Sequence, residues 1–392
     1  MNSKLIGGIL LIIGTSIGGG MLALPVVTAE VGFFNSLIFL VLTWLVMTAG
    51  ALLVLEVNLR LPEGSNMVSM ARHTLGMPGQ IVAWIAYLFL LYTLLAGYIS
   101  GGSDVLGSVL TNIGLPLSEP MAALAFTGLF GLIVYAGIQA VDYVNRGLMF
   151  GKLGIYILLI LIISPHINVS LLSGGRVQAA VGSLMVLVTS FGFASIVPSL
   201  RDYFDSDVNQ LRKVVLWGSL IPLTCYILWD AVIMGVIQRD GEFGLLQLMQ
   251  SSHATSGLTN ALSLSVSSQL ISGFFAFFTS ICMLTAFLGV SIGLFDFLAD
   301  GLKWQKGGLQ GKGTFLLTFL PPLLIVLVKP GIYLSAMRYA GICCVVLLLL
   351  LPVAMAWQGR KNNNQSLMLV PGGKSVLVMV GVVAIYLLSI AI

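Results

Sequence analysis

Eleven long apolar runs, separated by short polar breaks, constrain the fold of this chain most strongly. The runs fall at about 5–29, 34–57, 80–110, 120–139, 147–164, 179–200, 212–237, 268–298, 314–328, 331–357 and 375–392. A helix of about 20 predominantly apolar residues crosses the hydrocarbon core of a bilayer. Because 58% of the residues are hydrophobic and only 8% are charged, an ordinary soluble domain is excluded. The sequence therefore predicts an all-α integral membrane protein with eleven transmembrane helices.

The basic residues between the runs indicate the orientation of the chain. If the N-terminus is cytoplasmic, fourteen Lys and Arg residues fall on the cytoplasmic side, and only Arg176, Arg239 and Lys329 on the other. Cytoplasmic loops of membrane proteins carry the excess of Lys and Arg. We therefore predict a multi-pass protein of the cell (inner) membrane, with its C-terminus periplasmic or extracellular and a polar outer loop at about 239–267. The basic residues are spread over many loops, so nucleic-acid binding is not expected.

The first run is interrupted where a helix should be most regular. Residues 14–20 read Gly-Thr-Ser-Ile-Gly-Gly-Gly, and each glycine costs up to about 1 kcal/mol of helix stability relative to alanine. In hydrocarbon, an opened backbone is tolerated only where it is buried in protein or lines a wet cavity. Its free N–H and C=O groups can hold a carboxylate, an ammonium or a cation. Close helix packing is the alternative, because Gly14 and Gly18 also form a small-xxx-small motif.

The sixth run contains a second interruption, at residues 189–200. It has Gly192, several small or hydroxyl residues, and Pro198, which lacks a backbone donor. The two breaks lie five runs apart, and an odd offset means that two units of five run through the membrane in opposite directions. Broken helices at corresponding positions of inverted repeats indicate the central site of a transporter. We therefore expect runs 1 and 6 to be unwound at mid-membrane.

The chain is therefore expected to have three parts. Residues 1–164 form the first five-helix repeat, residues 165–357 form the second, inverted repeat, and residues 358–392 form a connecting loop and the eleventh helix.

Several motifs resemble one known family. Residues 14–25 closely resemble the opening signature of the hydroxy/aromatic amino acid permeases. Further matches are residues 55–59, 62–66, 141–146, 190–193 and 288–297, so the resemblance covers essentially the whole chain. It is closest to the tyrosine-specific permeases, within the amino acid/polyamine/organocation superfamily. The resemblance implies a LeuT-type 5+5 inverted repeat plus one extra helix. It also implies proton-coupled import of an aromatic amino acid, with tyrosine as the leading candidate.

An amino acid zwitterion needs N–H donors for its carboxylate and oxygen acceptors for its ammonium. The second half-helix of run 1 can present N–H groups and a positive dipole end to the carboxylate. Carbonyl groups near the first half-helix and Ser190 can receive the ammonium, while aromatic neighbours in run 6 suit a flat ring. The predicted substrate-binding residues are Gly14, Thr15, Ser16, Gly18, Gly19, Gly20, Tyr92, Ser190, Phe191, Gly192, Phe193, Ala194 and Ser195.

Three of these assignments have stated alternatives. In LeuT-type folds a tyrosine of the third helix approaches the substrate carboxylate. The third run contains Tyr87, Tyr92 and Tyr98, and we choose Tyr92 because it lies near the middle of the membrane. The alternative for Tyr92 is packing or anchoring at the membrane interface. Phe191 and Phe193 could equally face lipid or pack in the core. The family often carries histidine where this chain has Ala194, so the choice between tyrosine and tryptophan stays open.

Ionisable residues in the runs are candidates for coupling, because a charge in hydrocarbon costs about 3 kcal/mol or more. Lys152 lies near the start of run 5, where its side chain could extend to the lipid headgroups. Alternatively, as in some proton-coupled relatives, its ammonium group occupies the position of a coupling cation between runs 1 and 8, near Gly14 and Ser291. Asp230 in run 7 is the second candidate proton carrier.

Other charged residues are expected at the ends of the runs. Glu56 and Asp296 lie near inner ends, where we expect loop contacts or ion pairs. Arg338, near the outer end of run 10, is a candidate gate residue that could pair with Asp104 or Glu30.

Several functions remain open within this class. A sodium-coupled symporter, a hydroxy amino acid symporter and a non-transporting amino acid receptor on the same fold are the alternatives. No nucleophile, metal or phosphate-binding motif is present, so we expect neither an enzyme nor a cofactor other than the coupling H⁺. The expected partners are an amino acid and the lipid bilayer, and the sequence does not determine the oligomeric state.

Overall fold

The protein is described by a computed structural model that covers residues 3–266, 268–361 and 368–391. Within these residues it is helical. The α-helices are α1 (Ser3–Ser16), α2 (Gly19–Val27), α3 (Phe33–Leu59), α4 (Met67–Asn112), α5 (Glu119–Tyr135), α6 (Ile138–Ile163), α7 (Val169–Leu172), α8 (Ala180–Ser190), α9 (Val197–Tyr203), α10 (Val208–Met234), α11 (Leu245–Gln250), α12 (Ala254–Val266), α13 (Gln269–Leu302), α14 (Gly308–Val328), α15 (Tyr333–Val345), α16 (Leu351–Lys361) and α17 (Gly373–Ala391). Short 3₁₀ segments are Ser164–His166, Val177–Ala179 and Gly192–Ile196, and a π-helical turn, Val346–Leu350, joins α15 to α16.

In the described part of the chain, nine helical segments are long and apolar enough to cross a membrane. They are α3, α4, α10, α14 and α17, with the segments Gln139–His166, Val177–Tyr203, Leu270–Leu302 and Tyr333–Lys361. The bent pair of α1 and α2 makes a tenth. The prediction of an all-α multi-pass membrane protein is confirmed.

The fourth predicted run corresponds to α5, which has only 17 residues. This is short for a membrane span, so the count of eleven transmembrane helices and the 5+5 arrangement stay predictions. Some predicted boundaries lie outside the described residues. They are the end of the outer loop at residue 267, the end of the eleventh run at residue 392, and residues 362–367 of the connecting loop.

The third apolar run is part of a longer helix than its hydropathy indicates. Asn66 caps α4, since its side chain accepts a hydrogen bond from the Ser69 N–H and the Ser69 hydroxyl accepts one from the Asn66 N–H, both at 2.9 Å. This reciprocal pair is a capping box and starts the helix ahead of the apolar run. Gly76, with φ of +71°, then interrupts the helix two residues before Pro78. The apolar part of α4 follows this kink.

The predicted outer loop contains two helices, α11 and α12. The buried residues of α12 include Ala254, Leu258, Ala261 and Leu262. Their spacing of i, i+4, i+7 and i+8 marks one face of an amphipathic helix. Thr255 and Ser256, which are buried beside the apolar residues, and the exposed Asn260 and Ser265 conceal this pattern in the composition.

A buried ion pair fastens α3 to the C-terminal part of the protein. Glu56 is 0% exposed and accepts hydrogen bonds from Arg360 at 2.8 and 2.7 Å and from Arg60 at 2.9 Å. The backbone N–H of Leu369 also donates to Glu56, at 3.2 Å, and Arg360 donates to the Gly373 carbonyl. The expected ion pair of Glu56 is therefore confirmed. Because both the Glu56 carboxylate and the Arg360 guanidinium are buried, removal of either one would leave the charge of the other unpaired inside the protein.

We expect Glu56→Ala to destabilise the protein by about 3–5 kcal/mol, because it leaves the buried Arg360 guanidinium without a carboxylate. The measurement is the melting temperature of the purified protein in detergent. Asp142→Ala is the matched control, since it removes the exposed Asp142–Arg146 pair (2.8 Å), and exposed pairs contribute about 0–1 kcal/mol. Equal melting temperatures for the two variants would contradict this prediction.

Candidate functional site

The first break separates α1 from α2. α1 ends at Ser16, α2 begins at Gly19, and their axes differ by 52°. Every residue of α2 is buried. The first N–H groups of α2 and the last carbonyl groups of α1 lack partners within their own helices. The interruption predicted in run 1 is therefore confirmed, and it lies inside the protein.

The second break is milder than the first. α8 ends at Ser190, a 3₁₀ segment covers Gly192–Ile196, and α9 begins at Val197. The helical path continues through this change as one 27-residue segment, Val177–Tyr203. Pro198 lies in the first turn of α9, where a missing N–H costs nothing. Run 6 therefore changes from an α-helix to a 3₁₀ helix where the interruption was predicted, and its unwinding at mid-membrane stays a prediction. It lacks the three consecutive glycines of run 1.

The two breaks meet at the hydroxyl group of Tyr226 in α10. This oxygen lies 2.7 Å from the Ser16 carbonyl oxygen and 2.8 Å from the Ser190 carbonyl oxygen. Tyr226 is 0% exposed. The start of α2 is also close to the end of α8, because a Cβ placed on Gly20 would lie 3.1 Å from the Ser190 hydroxyl oxygen. The C-terminal ends of α1 and α8 therefore lie on either side of one phenolic oxygen.

Two further tyrosines contact the start of α2. The ring of Tyr98 lies against Gly19, where a Cβ would be 2.5 Å from the Tyr98 Cε1 atom. The Tyr333 hydroxyl donates to the Gly19 carbonyl. Sequence reasoning missed the position of Tyr226 and Tyr333, and the available signal was modest: a buried tyrosine needs a partner for its hydroxyl.

The structure does not bring Tyr92 to the breaks. Its hydroxyl donates to the Leu317 carbonyl of α14 at 2.7 Å. Tyr98, six residues later in α4, contacts the break instead. With 3.6 residues per turn, the two side chains project from different faces of the helix. Tyr92 was chosen for its depth in the membrane, but the face of α4 that points toward the first break carries Tyr98.

Lys152 reaches the first break and does not extend to the headgroups. It is 1% exposed, and its Nζ atom donates to the Ile17 carbonyl at 2.5 Å and lies 3.4 Å from the Thr285 hydroxyl of α13. The expected position between runs 1 and 8 is therefore the observed one. The hydroxyl partner differs, because Thr285 rather than Ser291 contacts the ammonium. The Ser291 hydroxyl is buried and has no hydrogen-bond partner among the described residues.

The remaining predicted substrate residues divide into two groups. Phe191, Phe193 and Ala194 are buried, so a lipid-facing position of the two aromatic rings is excluded. The Phe191 ring meets the Tyr226 ring edge to face, with centroids 5.1 Å apart. Thr15, by contrast, is exposed and donates to carbonyls of its own helix.

Three predicted residues line the edges of the breaks. Gly14 lies against the Met149 side chain of α6, and Gly192 lies near the Cys344 sulfur of α15. Ser195 donates to the Gly192 carbonyl at 3.2 Å. The breaks thus bring together most of the predicted set, and Thr15 and Tyr92 are the residues placed elsewhere.

Asp230 lies one helical turn from Tyr226 in α10. It is 0% exposed, and within the described residues neither carboxylate oxygen accepts a hydrogen bond. The Thr28 hydroxyl, which faces Asp230, donates to the Leu24 carbonyl at 2.7 Å. A buried carboxyl group without a partner is costly, and Asp230 therefore remains an ionisable group without a structural explanation.

The proposed partners of Arg338 are wrong. Glu30 pairs with Arg176, and Asp104 pairs with His253 at 2.9 Å. Arg338 instead lines a shallow cavity between α8, α15 and α17. The assignment of Arg338 as a gate residue stays a prediction. The expected contact of Asp296 is confirmed by its 2.8 Å pair with Lys306.

A second polar cluster lies where α4, α5 and the connection between α11 and α12 meet. It lines a cavity of about 330 Å³. The His253 ring nitrogens lie 2.9 Å from Asp104 and 3.1 Å from Glu119. Ser256 donates to Asp104 through its backbone N–H at 2.8 Å and its hydroxyl at 2.7 Å. The hydrogen bond to Asp104 raises the pKa of His253 above its usual value, and Glu119 adds to this effect.

The chain resembles one family of proteins over almost its whole length. The sequence pattern of the tryptophan/tyrosine permease family matches residues 1–391. The chain is 32% identical to tyrosine-specific transport system 1 of Haemophilus influenzae, over 99% of this chain and 96% of the relative. It is 30% identical to a tryptophan-specific transport protein of Pseudomonas aeruginosa, over 96% and 91%. It is also 30% identical to glutamine transporter 2 of Aliivibrio fischeri, over 93% and 92%.

We expect Gly19→Ala to destabilise the protein by about 1–3 kcal/mol, because the added methyl group would be forced against the Tyr98 ring. Gly18→Ala is the matched control, since its Cβ would lie 3.5 Å from Ala286, an ordinary contact. The measurement is the melting temperature in detergent. Adding Tyr98→Leu to Gly19→Ala should restore part of the loss. An equal loss in Gly18→Ala would show that backbone conformation, not the Tyr98 contact, requires these glycines.

The attachment of α12 to α4 should weaken as pH rises. Folding raises the pKa of His253 above the usual histidine value of about 6.5, so the protonated ring stabilises the folded state fully below that usual pKa. This stabilisation is lost as the pH rises through the pKa of His253 in the folded protein. Amide hydrogen exchange of α12, corrected for the intrinsic pH dependence of exchange, should therefore show less protection above the folded pKa of His253 than below it. His253→Gln should remove this dependence, whereas His166→Gln, at an exposed histidine, should retain it. The same profile in wild type and His253→Gln would refute the assignment.

Proposed function

The chain belongs to the tryptophan/tyrosine permease family, and we propose that it imports an aromatic amino acid, with tyrosine as the leading candidate, in symport with protons. As a member of this family of transport proteins it is not an enzyme. The proposal follows from one observation above all: two interrupted helices meet inside the protein, and Lys152 contacts the first break. Alternating access around these breaks would carry the substrate across the membrane.

The substrate would bind at the ends of the half-helices. The first N–H groups of α2, at Gly19 and Gly20, suit the carboxylate, because they lack intrahelical partners and lie at the positive end of the helix dipole. Oxygen atoms near Ser16 and Ser190 suit the ammonium. We assign to Tyr98 the carboxylate contact that the family resemblance gives to a tyrosine of the third span.

An aromatic substrate is supported by the side chains beside the second break. Phe191 and Phe193 are buried there, and aromatic pairs contribute about 0.5–1.5 kcal/mol beyond the area that they bury. The names of the relatives include tyrosine-, tryptophan- and glutamine-transporting proteins. The family name alone therefore does not define the substrate, and the two phenylalanines favour an aromatic ring over a hydroxy amino acid.

Lys152 is the proposed proton carrier. Its ammonium group lies at the Ile17 carbonyl, between α2 and α13, where a coupling cation would otherwise find oxygen ligands. This argues against a sodium ion at the same position. Asp230 is the second candidate, because it is buried without a partner in the described residues. A sodium symporter and a non-transporting receptor are the alternatives that the experiment must separate.

The proposed topology follows the sequence prediction. The N-terminus is cytoplasmic, the C-terminus lies on the opposite side of the cell membrane, and residues 1–164 and 165–357 are inverted repeats followed by a connecting loop and helix at 358–392.

The experiment measures uptake of radiolabelled tyrosine into proteoliposomes under an imposed pH gradient or an imposed sodium gradient. We expect the pH gradient alone to drive accumulation, and unlabelled tryptophan and phenylalanine to compete better than serine or glutamine. Lys152→Ala should lose pH-driven accumulation but retain exchange of internal for external tyrosine, because exchange requires no net proton movement. Lys312→Ala, at an exposed lysine of α14, is the matched control and should behave as wild type.

Each other outcome identifies an alternative. Accumulation driven by sodium alone would replace the proton proposal. Tyrosine binding without accumulation would indicate a receptor. Full pH-driven accumulation in Lys152→Ala would move the proton-carrying role to Asp230.

A further inference from the structure

The carbonyl groups that flank Tyr226 are of the kind that binds cations. Ser16 and Ser190 are the last residues of α1 and α8, and the final carbonyls of a helix lack intrahelical partners and carry the negative end of its dipole. In secondary transporters, such half-helix ends coordinate sodium ions. Here both carbonyl oxygens approach a single phenolic oxygen, at 2.7 and 2.8 Å.

A third oxygen at this position is available. The Ser16 hydroxyl oxygen is buried and has no hydrogen-bond partner within the described residues. The two carbonyl oxygens and this hydroxyl oxygen are ligands of the kind that hard cations prefer.

We propose that the Tyr226 hydroxyl occupies a latent monovalent-cation site between the two half-helices and thereby excludes sodium from it. The single phenolic proton can be donated to either carbonyl oxygen or shared between them, so the hydroxyl takes the place of an ion and holds the two breaks together. Tyr226 is then the residue that sets the ion selectivity of this position. The inference rests on the proposed function only in treating Ser16 and Ser190 as part of the substrate site.

Tyr226→Phe tests the role of this hydroxyl directly. The variant keeps the ring and its contact with Phe191, but it frees the two carbonyl groups. Lys152 bears on the result as well, since it donates to the adjacent Ile17 carbonyl and its positive charge would repel an incoming ion. Adding Lys152→Ala to Tyr226→Phe should therefore strengthen cation binding further.

The experiment records the melting temperature of purified protein in detergent, without substrate, while sodium chloride replaces choline chloride at constant ionic strength. We expect no sodium-specific change in wild type. Tyr226→Phe should melt lower than wild type in choline and should regain stability saturably with sodium, as expected for a ligand that binds the folded state. Tyr156→Phe is the matched control, because it also removes a tyrosine hydroxyl bonded to a backbone carbonyl, that of Cys225 at 2.9 Å. It should show no sodium response.

The result that overturns the proposal is a Tyr226→Phe variant without a saturable sodium response, or a wild type stabilised by sodium to the same degree. If Tyr226→Phe cannot be purified, Tyr226→Leu, which likewise supplies no donor to the two carbonyl groups, should show the sodium response. Because no amino acid is present, failure of tyrosine transport in wild type does not affect this readout. If wild type does transport tyrosine, Tyr226→Phe should in addition acquire sodium stimulation of uptake.

Discussion

The structure depends on satisfying backbone groups at places where helices stop inside a membrane protein. An unsatisfied N–H or C=O group in hydrocarbon costs several kcal/mol, so an interruption persists only when other groups take over its hydrogen bonds. Here the carbonyls of Ser16 and Ile17 are bonded by Tyr226 and Lys152. Side chains from α10 and α6 thus replace bonds that a continuous helix would have made, and Tyr333 of α15 adds a hydrogen bond to the Gly19 carbonyl at the start of α2.

These replacement bonds connect the breaks to the rest of the molecule. Side chains of α10, α6 and α15 donate hydrogen bonds to carbonyls at the first break. The position of α2 relative to α1 therefore depends on how these three helices pack. The short contact between Gly20 and Ser190 couples the first break to the second. At Gly19 the approach is closer still, because a Cβ there would lie 2.5 Å from the Tyr98 Cε1 atom. The same residues that weaken the helix therefore also permit the close contact that stabilises the interrupted form.

Sequence reasoning located the breaks but not all of their partners. Hydropathy and glycine content identify where a helix fails, because both are properties of neighbouring residues. Lys152 was identifiable because a lysine in an apolar run is rare and costly. The choice between Tyr92 and Tyr98, the partners of Arg338 and the role of Tyr226 depend on the direction in which each helix faces, which packing determines. The helices α11 and α12 escaped prediction because α11 has only 6 residues and α12 mixes serine, threonine and asparagine with its apolar residues.

The distribution of donors around the breaks bears on how substrate and proton would be linked. The sequence suggested that carbonyls near Ser190 receive the substrate ammonium, yet the hydroxyl of Tyr226 already lies between the Ser190 and Ser16 carbonyl oxygens and shares its one proton with them. A substrate ammonium group that enters there must share these carbonyl oxygens with the Tyr226 hydroxyl. Because this hydroxyl is neutral, it does not repel the ammonium. The ammonium of Lys152 lies one residue away, at Ile17, and two positive charges at neighbouring carbonyls repel each other. This repulsion is reciprocal, so in the proposed symport the state that carries both substrate and proton requires a compensating negative charge, which the substrate carboxylate at the start of α2 would supply.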